Sequence, residues 1–161
     1  MRVGRAVSDA QEAELDLARQ LRRVGERHAA EPDLYHLGHT LARRCGEHVE
    51  RLAPFARRYG VRAREGRTES PHLLEALRRR SGELVGHSEL AGLLLLRDLR
   101  DLSLTAHEAE IAWVILAQVA QAVRDPELLQ VATECQEDAR TRGKWLRTRI
   151  KQAAPQVLVA G

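Results

Sequence analysis

Aromatic residues are scarce, with two Trp, two Tyr and one Phe in 161 residues. That argues against a sheet-rich fold, which draws on aromatic and β-branched side chains, and against a platform for stacking nucleic-acid bases. Lysine is nearly missing as well: only Lys144 and Lys151 occur, so the basic side of the +3 net charge rests on arginine. The arginine runs (Arg22-Arg23, Arg43-Arg44, Arg57-Arg58, Arg78 to Arg80) are spread along the chain and interleaved with acids. This pattern describes a solvated surface laced with i,i+4 ion pairs, and nucleic acid is not an expected partner. The leucine run Leu93 to Leu96 is four residues, far short of the ~20 a membrane span needs, so no membrane association is expected. The first twenty residues contain no apolar core or cleavage site of a secretion signal, and there are only two cysteines. A reducing cytoplasm is therefore the expected compartment.

What the chain does have is helical periodicity. The stretch Ser88 to Arg124 contains no proline, and Leu96, Leu99, Ser103, Ala106, Glu110, Trp113, Ala117 and Ala120 recur at helical spacing. Ile111, Ile115, Leu116 and Val119 widen that face, which suits a helix buried by several neighbours. Three more stripes accompany it. Val7, Ala10, Glu14, Leu17, Leu21, Val24 and His28 predict a first helix beginning near Ser8, with Ser8 and Gln11 as a capping box. Leu34, Gly38, Leu41, Cys45, His48, Leu52, Phe55 and Tyr59 predict a second, opened at Glu31-Pro32-Asp33, kinked or ended early by Pro54, and capped by Gly60. Leu129, Ala132, Gln136, Ala139, Gly143, Leu146 and Ile150 predict a last helix, capped by Asp125 and ended by Pro155. Between the second and third stripes, residues 60–70 read as a loop and 71–85 as a short connecting helix. No internal repeat is convincing. The expectation is one all-α domain over 1–161: an antiparallel four-helix bundle with a crossover connection and a tail at 156–161.

Two glutamates, Glu14 and Glu110, interrupt the apolar stripes. A buried carboxylate must be paired, protonated or bound to a metal. A di-metal site in a helical bundle takes one glutamate from each of two helices and a Glu-x-x-His pair from each of the others. Glu14 and Glu110 suit the single positions. The second helix offers Cys45-Gly46-Glu47-His48, with cysteine where glutamate is needed, and the fourth offers Cys135, Gln136, Glu137 and Asp138 with no histidine. Glu14, His48, Glu110, Glu137 and Asp138 are the candidate metal ligands. The competing readings are a glutamate paired with a buried arginine, Glu110 bonded to Trp113, Trp145 or a backbone group, and His48 as a hydrogen-bonded core residue. Cys45 and Cys135 are expected at one level of the bundle, buried and unbridged, as small core residues or, less simply, as a redox pair or a thiolate metal ligand. Nothing resembles a nucleophile elbow, a phosphate loop, an HExxH helix or a dinucleotide fingerprint.

In EAELDLARQL, HTLARRCGEHVERLAPF, AHEAEIAWVILAQVAQAV and LLQVATECQEDARTRGKWL, in that order, the chain resembles the YciF-like branch of the ferritin-like superfamily. The resemblance implies a ferritin-like bundle, dimerisation, and in many relatives a di-iron or di-manganese centre, with stress-related roles suggested. Glu14, His48 and Glu110 match that pattern. Arg43-Arg44 and Cys135-Gln136 depart from it where relatives tend to carry acids. The expected function is thus a ferritin-like protein without a complete di-metal site, with no cofactor, acting as a homodimer through assembly or ligand binding. The alternative is an iron- or manganese-dependent oxidoreductase built on the residual glutamates and histidine.

Overall fold

The structure is a computed structural model describing residues 2–66 and 89–160. It contains four helices: α1 (Val3–Arg27), α2 (Pro32–Arg58), α3 (Glu89–Ala122) and α4 (Pro126–Leu158), with no strand among the described residues. The connecting helix expected at 71–85, and residues 67–70 of the loop, lie outside the described residues.

Three helix boundaries differ from expectation. α1 starts at Val3 with no side-chain cap. Continuing the helix past Ser8 buries Val3 and Val7, and the Gln11 amide that would have closed a capping box donates instead to the Val49 carbonyl at 3.2 Å. α2 runs through Pro54 to Arg58, and α4 through Pro155 to Leu158. Both prolines are exposed, as are Glu50 and Lys151 four residues earlier, so water can take the carbonyls that lose their donors. The other signals hold. Asp125 Oδ1 accepts from the Leu128 N–H at 3.0 Å to cap α4, with Pro126 in the first turn, and Gly60 takes φ +70° past the end of α2.

Side-chain pairs fix the helix directions. Glu26 meets His39 and Gln11 meets Val49 between α1 and α2; Arg27 meets Asp98 and Glu14 meets Trp113 between α1 and α3. His48 meets Asp138 and Arg58 meets Glu127 between α2 and α4, and Gly92 lies against Val157 between α3 and α4. Every neighbouring pair is antiparallel. The order around the bundle is α2–α1–α3–α4, so α2 and α3 are diagonal and parallel, and their backbones do not approach closely. After Gly60 the chain turns back along α1 and α2: Arg64 pairs with Glu12, and the Gly66 N–H donates to Glu50 Oε1 at 2.7 Å.

The core has two apolar sections. One gathers Val7, Phe55, Trp113, Leu116 and Leu128; the other gathers Leu21, Leu34, Leu99, Leu102 and Leu146. The α1 stripe is buried from Val7 to His28 as expected. On α4 the buried face is turned by one residue from the expected stripe: Leu128, Ala132, Cys135, Ala139, Arg142, Leu146 and Ala153 are inside, and Leu129, Gln136, Gly143 and Ile150 sit at the margin. The α3 face is turned likewise, with Ala109 inside and Glu110 at its edge. Ile111 and Ile115 are 43% and 53% exposed, so α3 is not enclosed on all sides by the described residues.

Gly46 lies against the returning strand of chain, where a Cβ would stand 2.5 Å from the Gly66 carbonyl oxygen. Gly→Ala in an open helix interior gains ~1 kcal/mol. Here Gly46→Ala is expected to destabilise instead, by ~1–3 kcal/mol as overpacking against backbone does, measured by denaturant unfolding.

Candidate functional site

Between the two apolar sections lies a polar cluster contributed by all four helices. Glu14, on the inward face of α1, is fully buried. Its Oε1 accepts from Trp113 Nε1 at 2.7 Å and from Arg142 Nη2 at 3.0 Å, and its Oε2 accepts from Arg142 Nη1 at 3.1 Å. Arg142, 4% exposed, thus holds the carboxylate as a two-pronged fork. Its Nη1 also points at the Cys45 sulfur, 3.5 Å away. From α2, His48 Nδ1 stands 3.5 Å from Glu14 Oε1, at the limit of a hydrogen bond, while its Nε2 is 3.1 Å from Asp138 Oδ2. The His48 ring meets Trp113 edge to face, with centroids 5.8 Å apart.

The charge state follows from these contacts. Burial alone would raise the Glu14 pKa, but the facing His48 and the Arg142 guanidinium overcome that and hold it well below the carboxylate range. Burial works against the Arg142 charge, and the Glu14 carboxylate more than restores it. Burial pushes the Cys45 thiol up, aided by the Glu14 charge, and pushes Cys135 up to about 12. Neither thiol is an activated nucleophile.

Glu14, His48 and Asp138 therefore come together, and Arg142 and Trp113 join them. Glu110 does not: its side chain is 19% exposed, and its nearest basic groups are the His107 ring at 3.8 Å and Arg140 at 3.9 Å. Trp113, considered as a partner of Glu110, serves Glu14. Glu137 is exposed and pairs with Arg140 at 3.0 Å. Cys45 and Cys135 are free and buried, as expected, but not at one level. Cys45 faces Arg142, whereas Cys135 faces Arg51, so they sit about 9 Å apart along the bundle, taking ~1.5 Å per residue between positions 45 and 51.

A di-metal centre does not fit this arrangement. Both oxygens of the central carboxylate already carry donors, and a fixed cation lies against it. Asp138 is half-exposed and turned to His48. Among the described residues no group of three or more His, Cys, Asp or Glu side chains could hold a metal ion.

Arg142 is the residue that sequence reasoning missed. Its signal was present: positions 128, 132, 135, 139, 142 and 146 alternate four and three, but an arginine in such a seam reads as a surface residue until its partner is known.

No protein-family model, no curated protein and no solved structure matches this chain.

Glu14→Gln leaves the Arg142 charge buried without a counter-ion, which typically costs ~3–5 kcal/mol. Glu110→Gln, at the bundle edge, is expected to stay within ~0.5 kcal/mol. Because the folded-state pKa of Glu14 is lowered, its contribution is present above its ordinary value of 4.5 and drains away as pH falls below it. Urea unfolding of both variants at pH 7 and at lower pH checks the difference and its loss in acid.

Proposed function

We propose that this chain is a ferritin-like crossover bundle of the cytoplasm, without a di-metal centre, that acts by forming a homodimer and binding a small ligand. The observation that carries this reading is Arg142. Its guanidinium supplies, from within the chain, the positive charge that a metal would bring to a buried glutamate. The parallel, diagonal placement of α2 and α3 supports the crossover, since their connection has to join opposite ends of the bundle. A stress-related role rests on the resemblance alone. The oxidoreductase alternative loses support from the same contacts, because Glu14 has no free oxygen to offer. If the reading is right, the thermal midpoint of metal-stripped protein should be unmoved by added iron(II) or manganese(II). A ligand at 100 times its Kd would add ~2.7 kcal/mol, so a clear upward shift would overturn the metal-free reading.

The dimer has its own support on α3. Opposite the core face, Leu93, Leu104, Ile111 and Ile115 form an apolar stripe, each 43–65% exposed. A second copy laid antiparallel along it, with Leu104 on the twofold axis, sets Leu93 against the partner's Ile115. The same register brings Arg100 to the partner's Glu108 and Asp101 to the partner's His107, so the polar groups flanking the stripe are self-complementary. The stem of Arg97 covers the partner's Ile111. An isologous interface requires this kind of self-matching. Light scattering is expected to give twice the chain mass of 18.1 kDa. Leu104→Glu should give monomers with helicity retained, and a native chain already monomeric at micromolar concentration would refute the interface.

A further inference from the structure

Of the neighbouring helix pairs, α2 and α4 approach each other least. A cavity of about 230 Å³ opens in the seam between them. Ligand pockets commonly run ~300–1,000 Å³, so this one admits only a small molecule. Leu37 and Leu41 from α2 and Trp145 from α4 form an apolar wall.

The polar groups of the same cavity are unevenly matched. Its carboxylate, Asp138, has one oxygen, Oδ2, engaged by His48 Nε2 at 3.1 Å. Its donors are not all engaged. Arg44 is exposed and makes no ion pair or hydrogen bond among the described residues, and Thr141 likewise has none. The buried Nε of Arg142 has no acceptor. Thr105, Thr133 and Thr148 each turn the hydroxyl back to the carbonyl four residues earlier, and Thr141 does not. The seam thus pairs an apolar wall with donors in excess of acceptors.

We infer that this cleft binds a small monocarboxylate with an apolar body. Arg44 and Thr141 take the carboxylate at the mouth, and Leu37, Leu41 and Trp145 cover the body. The chain from Gly60 to Gly66 runs on the α1 side of α2, past Glu12 and Glu50, away from this seam. The inference rests on the proposed reading only in its ligand-binding part, and it is independent of the dimer and of the metal-free interior.

The test is calorimetric titration of the full chain at pH 7 with octanoate, with octanol (the same body without the charge) and with acetate (the charge without the body). Octanoate is expected to bind one per chain, at least tenfold more tightly than either control. Arg44→Gln should bring octanoate down to the level of octanol, and Leu41→Trp, which fills the cavity, should abolish binding of both, with circular dichroism confirming that each variant is folded. No octanoate binding, equal binding of octanol, or unchanged binding by folded Arg44→Gln or Leu41→Trp would overturn the inference. Any of these results leaves the chain's mass in solution and its response to metal as they were, so failure here is distinguishable from failure of the reading above.

Discussion

Among the described residues, Glu14 links its own helix to the three others, through His48 on α2, Trp113 on α3 and Arg142 on α4. Apolar seams tolerate sliding and rotation, because leucine packs against leucine in many registers. A buried carboxylate with a forked partner does not, since a shift of one residue would strand both charges in the interior. Replacing such a pair with well-packed apolar residues is often neutral or stabilising, so its stability contribution alone does not account for it. Its effect here is to fix the register of four helices at one level, between two apolar sections that could otherwise slip.

The consequence for chemistry is restrictive. A carboxylate whose oxygens accept three hydrogen bonds is a poor base and a poor ligand. The nearby thiols are held neutral by burial, which removes them as nucleophiles. Reactivity is suppressed at the centre of the bundle, and the free Nε of Arg142 lies toward the α2–α4 seam.

The four bundle helices, their order and the buried α1 stripe were legible because each rests on periodicity and on local breakers such as Pro32, Asp125 and Gly60. Boundaries at Ser8, Pro54 and Pro155 were not, because they depend on whether a backbone group meets water or a neighbour. Glu14 was legible as an anomaly, and one of its two readings, pairing with a buried arginine, is what the structure contains. Which arginine was hidden by a one-residue rotation of α4. The same kind of rotation on α3 moved Glu110 from the interior to the edge and replaced it with Ala109. A stripe read from sequence locates a face to within roughly one position, about 100° at 3.6 residues per turn, and that is the difference between a ligand and a surface residue.

The looseness of the α2–α4 seam follows from where the glycines lie. Gly25 and Gly38 face each other between α1 and α2, where a Cβ on Gly38 would come within 3.1 Å of the Leu21 carbonyl oxygen. That close backbone approach draws α2 toward α1. On the other side α3 and α4 bury small alanines, including Ala106, Ala109, Ala132 and Ala139, and also pack closely. Two tight pairs result, joined by apolar packing between α1 and α3. Between α2 and α4 the span is bridged instead by long polar side chains: Arg51 to Glu134, His48 to Asp138, and Arg149 to Asp33 and Glu31. Long side chains can hold helices in register without closing the space between them. The cavity is therefore a product of the same sequence choices that tighten the rest of the bundle.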